Sequence, residues 1–203
     1  MRSLVIVGAR AMGRETCVYA QDAGWQVKGF LDDNPDALDG FGEYPQILAS
    51  VENYRIAADD VFVVALGEPE YRQKYVEMVS TRGGKFVSII HPRAYLGRNL
   101  EWGTGCVICP NATVSSNVFI GNHVIVNVNA SINHDSIVRD YSTLSPGCHI
   151  AGRVVLGASV FVGIGASVIP DVTIGDGVFV AAGAVVVGSV TSGRVMGIPA
   201  REK

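Results

Sequence analysis

The sequence predicts a protein in two parts: a small α/β unit of parallel strands, then a β-helix solenoid. Two observations carry this reading. From Ile90 to Val186 an apolar residue returns every six positions, through Leu96, Trp102, Ile108, Val114 and Ile120 to Ile174, Val180 and Val186. That is seventeen hits without an insertion, all aliphatic except Trp102. Upstream, short apolar runs alternate with helical stretches. Neither a 3.6-residue helix nor a period-two strand holds a six-residue register over that length. Six-residue repeats instead build solenoids, in which each coil buries its apolar face against its neighbours.

Four residues after each member of the apolar row comes a second row that is mostly small, with Cys106, Ala112, Ala130, Ser136, Ser142, Cys148 and Ala166 among its members. The first eighty-five residues follow a different grammar. Leu4 to Val7 is a buried-strand run, followed by the glycine turn Gly8-Ala9-Arg10-Ala11-Met12-Gly13 and a helical stretch through Ala23. Val27 to Leu31 reads as a second strand ending in the turn signal Asp32-Asp33-Asn34-Pro35. A third strand, Val61 to Leu66, is closed by Gly67 and followed by a charged helix from Glu70 to Thr81. Phe86 to Ile90 reads as a fourth strand that runs into the solenoid. Such alternation implies a small parallel sheet of Rossmann type. The expected division is 1–85 for the Rossmann-like unit and 86–203 for the β-helix with a C-terminal cap.

Composition narrows the classes of function. The chain has 203 residues, 48% of them hydrophobic, enough for substantial cores. A net charge of −3 leaves no electrostatic footprint for nucleic acid or an anionic membrane. The N-terminal apolar segment is too short to span a bilayer and has no cleavage-like end. Cys17, Cys106, Cys109 and Cys148 form no dense framework and read as reduced thiols, so a cytoplasmic protein is expected. Cys106 and Cys109 make a CxxC in which the two residues occupy different hexad phases, as packing residues would.

A strand, a glycine turn and a helix start form a place where backbone N–H groups can cradle phosphate, and an acidic pair some twenty residues on can bind ribose or base. Gly8, Arg10, Met12, Asp32, Asp33 and Gly67 are the candidate substrate-binding residues. Arg10 occupies the place of the second glycine of the dinucleotide fingerprint, where it both obstructs a pyrophosphate and could bind one. The two glycines serve equally well to make the turn and pack the helix. His123, His134 and His149 are eleven and fifteen residues apart, which does not match an eighteen-residue stacking distance, and no metal site is expected.

The hexads resemble those of left-handed parallel β-helix acyltransferases. The whole chain resembles the NeuD/PglD-type sugar acetyltransferases of bacterial surface-glycan pathways. The resemblance rests on Gly8 to Gly13, Leu31-Asp32-Asp33, Ala65-Leu66-Gly67, Ile90-His91-Pro92, Asn133-His134-Asp135-Ser136, the hexads, and Met196 to Ala200. It implies triangular coils of three hexads, between five and six in number, with the apolar row in the corners. It also implies a homotrimer with active sites between adjacent β-helices, supported by outward residues such as Trp102 and Phe119. The co-substrate would be acetyl-CoA, and the acceptor an amino or hydroxyl group of a sugar, often nucleotide-linked.

Attack on a thioester needs a proton acceptor, and histidine is poised for that near neutral pH. His134 lies two positions past an inward residue and is expected to point outward as the base. Asp135 would orient it. Adjacent strand residues diverge, so that role requires a turn here. By resemblance, Thr143, Gly152, Ile164 and Ala182 would line the acetyl-CoA groove, and Arg194, Arg201 and Lys203 could face the CoA phosphates. Met12, Thr143 and the segment Gly67-Glu68-Pro69 depart from the family pattern, Met12 and Thr143 each standing where members carry histidine. Three other readings are an NAD(P)-binding Rossmann enzyme, a non-catalytic nucleotide-binding scaffold that uses the β-helix only to trimerise, and a zinc lyase of the γ-carbonic-anhydrase type.

Overall fold

The computed structural model describes residues 2–197. The N-terminal unit runs β1 (Ser3–Val7), α1 (Ala11–Asp22), β2 (Val27–Leu31), β3 (Ile47–Ala49), β4 (Asp60–Val64) and α2 (Pro69–Ser80). Its four strands are parallel in the order β3-β2-β1-β4. Alternation along β1 sorts two cores. Leu4 and Ile6 pack with Cys17 and Ala20 of α1, whereas Val5 and Val7 pack with Val76 and Val79 of α2. Pro69 opens α2, where a missing N–H costs nothing.

The fourth strand of the sheet is not the one expected. Phe86 makes only a single bridge to Phe62. Ile89–Ile90 is already β5, the first rung of the solenoid, paired with Val107–Ile108. Ile47–Ala49 completes the sheet instead, beside β2.

From β5 onward the chain is a series of two-residue strands ending at β22 (Arg194–Val195), stacked in three parallel faces of seven, six and five strands. Up to Val185–Val186 partners are eighteen residues apart, as in Ile132↔Ile150 and Val138↔Leu156, while β22 pairs with Phe179–Val180 at fifteen, Phe179↔Arg194. The apolar row is the second residue of each strand, so it points inward from the faces and does not fill the corners. The corners are the two variable positions of each hexad. Every member from Ile108 to Val186 is buried, and with the small row it forms one continuous core. Trp102, at the first coils, is 43% exposed.

The second corner position is left-handed at six-residue intervals from Asn99 to Gly183. That conformation favours Asn, Asp and Gly. Asn99, Asn111, Asn117, Asn129, Asp135 and Asp171 obey this rule, while His123, Tyr141 and Arg153 adopt it without the usual preference.

The N-terminal unit lies on the seven-stranded face: Ile89, Val107, Cys109 and Ile125 join the core beneath α1. Cys106, one side chain over, belongs to the prism interior. Arg72 on α2 fastens the two units. It is wholly buried and donates to the carbonyls of Leu66, Gly67, His123, Tyr141 and Ser142 and to Thr143 Oγ1. Burial pulls its pKa down to about 9, so the guanidinium remains charged at neutral pH.

Candidate active site and acceptor cavity

His134 and Asp135 are the two turn residues between Ser131–Ile132 and Ile137–Val138. Asp135 has φ +62°. This left-handed turn brings its side chain back to its neighbour, which strand geometry would forbid, and His134 Nδ1 lies 2.7 Å from Asp135 Oδ2. Asn117 Nδ2 donates to the other carboxylate oxygen at 2.9 Å. The His134 bond, followed by that from Asn117, holds the Asp135 carboxyl below the usual carboxylate range. An ionised carboxylate only accepts, so the proton between the pair is assigned to Nδ1. Nε2 then carries a lone pair. Both side chains are about half exposed, at 52% and 46%.

Gly152 lies in the next coil at the same corner. A Cβ there would sit 2.6 Å from the His134 ring, so glycine is what leaves room for the imidazole. Ile164 and Ala182 are exposed and occupy a different corner, between the seven- and six-stranded faces. Thr143 is elsewhere again. It is 3% exposed, and its hydroxyl donates to the Gly67 carbonyl at 2.6 Å and accepts from Arg72 at 2.8 Å. Of these four residues, one chain therefore brings only Gly152 to His134.

A cavity of about 670 Å³ opens at the C-terminal end of the N-terminal sheet. Gly8, Arg10, Asp32, Asp33 and Gly67 all line it, together with Leu66, Tyr71 and Tyr75. Met12 does not line it and packs instead against the core beneath α1. Asp32 accepts from the backbone N–H of Ala9 at 2.8 Å and of Asn34 at 2.9 Å, and so braces the glycine turn. Asp33 accepts from the Tyr75 hydroxyl at 2.5 Å, which pushes the Tyr75 pKa up to about 12. The acidic pair is thus already engaged, and only its spare lone pairs face a ligand. Tyr71 and Tyr75, one helical turn apart on α2, are the lining residues that the sequence reading missed; their i, i+4 spacing was the available signal.

A second cavity, also about 670 Å³, lies between the first turn of α2 and the seven-stranded face. Phe161 and Phe179 stack there at 5.2 Å, and the Arg194 guanidinium lies 4.7 Å over Phe179. Ile198, Pro199, Ala200, Arg201 and Lys203 fall outside the described residues.

The other histidines are apart from this site. His91 pairs with Asp22 at 3.1 Å and accepts from the Arg93 N–H. His149 contacts Ser131 Oγ at 2.9 Å. His123 is buried, stacked on Tyr141 and edge-on to Phe86, and its Nδ1 has no partner. Among the described residues no three His, Cys, Asp or Glu side chains converge as a metal site.

Two family models match the chain, the PglD N-terminal domain over residues 3–79 and the bacterial transferase hexapeptide (six repeats) over 153–188. The acetyltransferase domain of PglB from Neisseria gonorrhoeae FA1090, solved with acetyl coenzyme A, is 29% identical with a TM-score of 0.87 and 98% of each chain covered. The chain is similar over its whole length to the NeuD/PglD-type sugar acetyltransferases. PerB from Caulobacter crescentus, solved with CoA and GDP-perosamine, shares the family fold with a TM-score of 0.89 and 28% identity, over 100% of this chain and 98% of that one. A GDP-perosamine N-acetyltransferase of Escherichia coli O157:H7 is 34% identical over 102 residues, which are 50% of this chain and 46% of that relative. The chain thus matches about half the length of that curated relative.

Proposed function

We propose that this chain is an acetyl-CoA-dependent acetyltransferase that acts on an amino group of a nucleotide-linked sugar in bacterial glycan biosynthesis. The observation that carries the reading is His134 on an outward corner, with Nδ1 bonded to ionised Asp135, Nε2 free, and the space beside the ring kept open by Gly152. The acceptor nitrogen attacks the acetyl carbonyl, and His134 Nε2 takes the proton that the nitrogen sheds. Collapse of the tetrahedral intermediate breaks the C–S bond and releases CoA as thiolate, to which the imidazolium can return the proton. Asp135 stabilises the imidazolium. No covalent acyl-enzyme is needed, and Cys17, Cys106, Cys109 and Cys148 are all buried.

The 670 Å³ cavity is the candidate nucleotide site. Arg10 at the N-terminus of α1 suits a diphosphate, and Tyr71 and Tyr75 offer faces to a base. Relatives solved with CoA and GDP-perosamine support this assignment. Thr143, Gly152, Ile164 and Ala182 lie on two corners and one face, so a single acetyl-CoA groove that used all of them would need a second copy of the chain. We take the working unit to be a homotrimer with residues 1–85 holding the acceptor and 86–203 the chemistry. Exposed Phe119 and Ile137, successive on the five-stranded face, suit a contact between copies. No described helix is long and apolar enough to cross a membrane, and four unpaired cysteines suit the cytoplasm.

Thermal denaturation with acetyl-CoA, GDP, UDP, NAD and zinc tests the class of chemistry. Ligand at a hundredfold excess over Kd adds about 2.7 kcal/mol to the folded state. Stabilisation by acetyl-CoA and by a nucleoside diphosphate is expected. A response to NAD or zinc alone would overturn the assignment.

A further inference from the structure

Asp135 belongs to a column of corner residues stacked eighteen apart: Asn99, Asn117, Asp135, Arg153 and Asp171, all left-handed. Their side chains are linked in two separate groups. Asn99 Nδ2 donates to Asn117 Oδ1 at 3.0 Å, and Asn117 Nδ2 donates to Asp135 Oδ1 at 2.9 Å. An amide whose oxygen is held by a donor presents its own NH₂ in a fixed direction, so Asn99 sets the orientation in which Asn117 meets the carboxylate. On the other side Arg153 stands next to Asp135 in the stack, yet it gives Nε and Nη2 to Asp171 at 2.6 and 2.8 Å. A bidentate fork of this kind is the strongest claim a carboxylate can make on a guanidinium.

We infer that this column positions the base: Asn117 holds one oxygen of Asp135 so that the other meets His134 Nδ1, while Asp171 keeps Arg153 from pairing with Asp135 in its place. The inference rests on the assignment of His134 as the base. A neutral amide suits the task. It fixes the carboxylate without cancelling the charge that draws the proton to Nδ1. An arginine paired with Asp135 would cancel that charge and place a cation beside the imidazolium formed in the reaction. The charged side chains that act on the pair include Arg153 and Asp171. A left-handed corner favours asparagine for backbone reasons alone, so the test must remove the amide without straining the turn. Glycine does this.

The measurement is the tautomer of His134 in the full chain, read from long-range ¹H–¹⁵N correlation spectra and assigned with His134→Gln. The parent chain is expected to show the Nδ1–H tautomer. Asn117→Gly and Asp171→Gly are each expected to populate Nε2–H, and the double variant Arg153→Gly/Asp171→Gly to return to Nδ1–H. Nε2–H in the parent, an unchanged tautomer in both single variants, or a double variant that stays at Nε2–H would overturn the inference. A parallel assay follows CoA release from acetyl-CoA with a panel of nucleotide-linked amino sugars, GDP-perosamine among them, as acceptors. Asp171→Gly is expected to lower kcat on the order of tenfold, part of the 10²–10⁴ that a positioned base contributes, with KM for acetyl-CoA unchanged. If the parent chain transfers no acetyl group, the function assigned above fails, while the tautomer still decides the role of the column.

Discussion

His134 and His123 show how one residue type takes opposite roles eleven positions apart. His134 stands half exposed beside an ionised carboxylate. His123 is 4% exposed, with an unpartnered Nδ1 and the Arg72 guanidinium nearby. Burial first and Arg72 second pull its pKa down to about 4. The folded state therefore binds this proton less readily than the unfolded chain, whose histidine titrates near 6.5. Stability from the neutral ring is fully present above about pH 6.5 and is lost as pH falls towards 4, by up to about 3 kcal/mol. His123→Phe is expected to flatten the dependence of Tm on pH across that window. An equally steep slope in the variant would assign the acid lability to other groups. The sequence pointed to His134 and Asp135 through the family resemblance, with the hexad register placing His134 two residues past an inward position and so on an outward-facing site. It did not find the burial of His123, because the hexad register shows which side chains face into the prism but not which corner the N-terminal unit covers.

At the scale of elements, the repeat made the solenoid legible almost residue by residue, since each inward position recurs and each coil checks the next. Leu144 illustrates the energetics. It is fully buried between Val126 and Val162 in the seven-stranded face, and the coils leave little slack to collapse into a void. Leu144→Ala is expected to cost about 2–5 kcal/mol, readable by chemical denaturation. The apolar row misled in one respect. A six-residue period is compatible with apolar residues at corners or on faces, and only the left-handed run from Asn99 to Gly183 shows that the corners belong to the polar pair. The N-terminal sheet was less legible. Ile47–Ala49 is three residues long, only partly buried and set in a turn-rich stretch, so no periodicity marks it. Phe86, which looks like a strand start, lies instead beside the ring of His123.

At the scale of the molecule, the link between cavity and prism is Arg72, and nothing in its helix sets it apart from neighbouring charged residues. Its bonds to Leu66 and Gly67 hold the cavity loop against the backbone of Tyr141 and Ser142. The same contacts bury Thr143, which the family resemblance had led us to expect beside a thioester. Arg72→Met would leave several buried carbonyls without donors. It is expected to destabilise the chain by about 3 kcal/mol or more, seen as a lower Tm and a cavity loop that exchanges its amide protons faster. If Tm and exchange were both unchanged, Arg72 would not be the fastening.

The central claim, that the chain transfers acetyl groups with His134 as base, is tested most directly by the turnover of His134→Ala. Release of CoA would be followed with saturating acetyl-CoA and the acceptor found by screening nucleotide-linked amino sugars, alongside a Tm measurement to establish that the fold is intact. The account predicts a folded variant slower by about 10²–10⁴. A folded variant that turns over at the parent rate would contradict it.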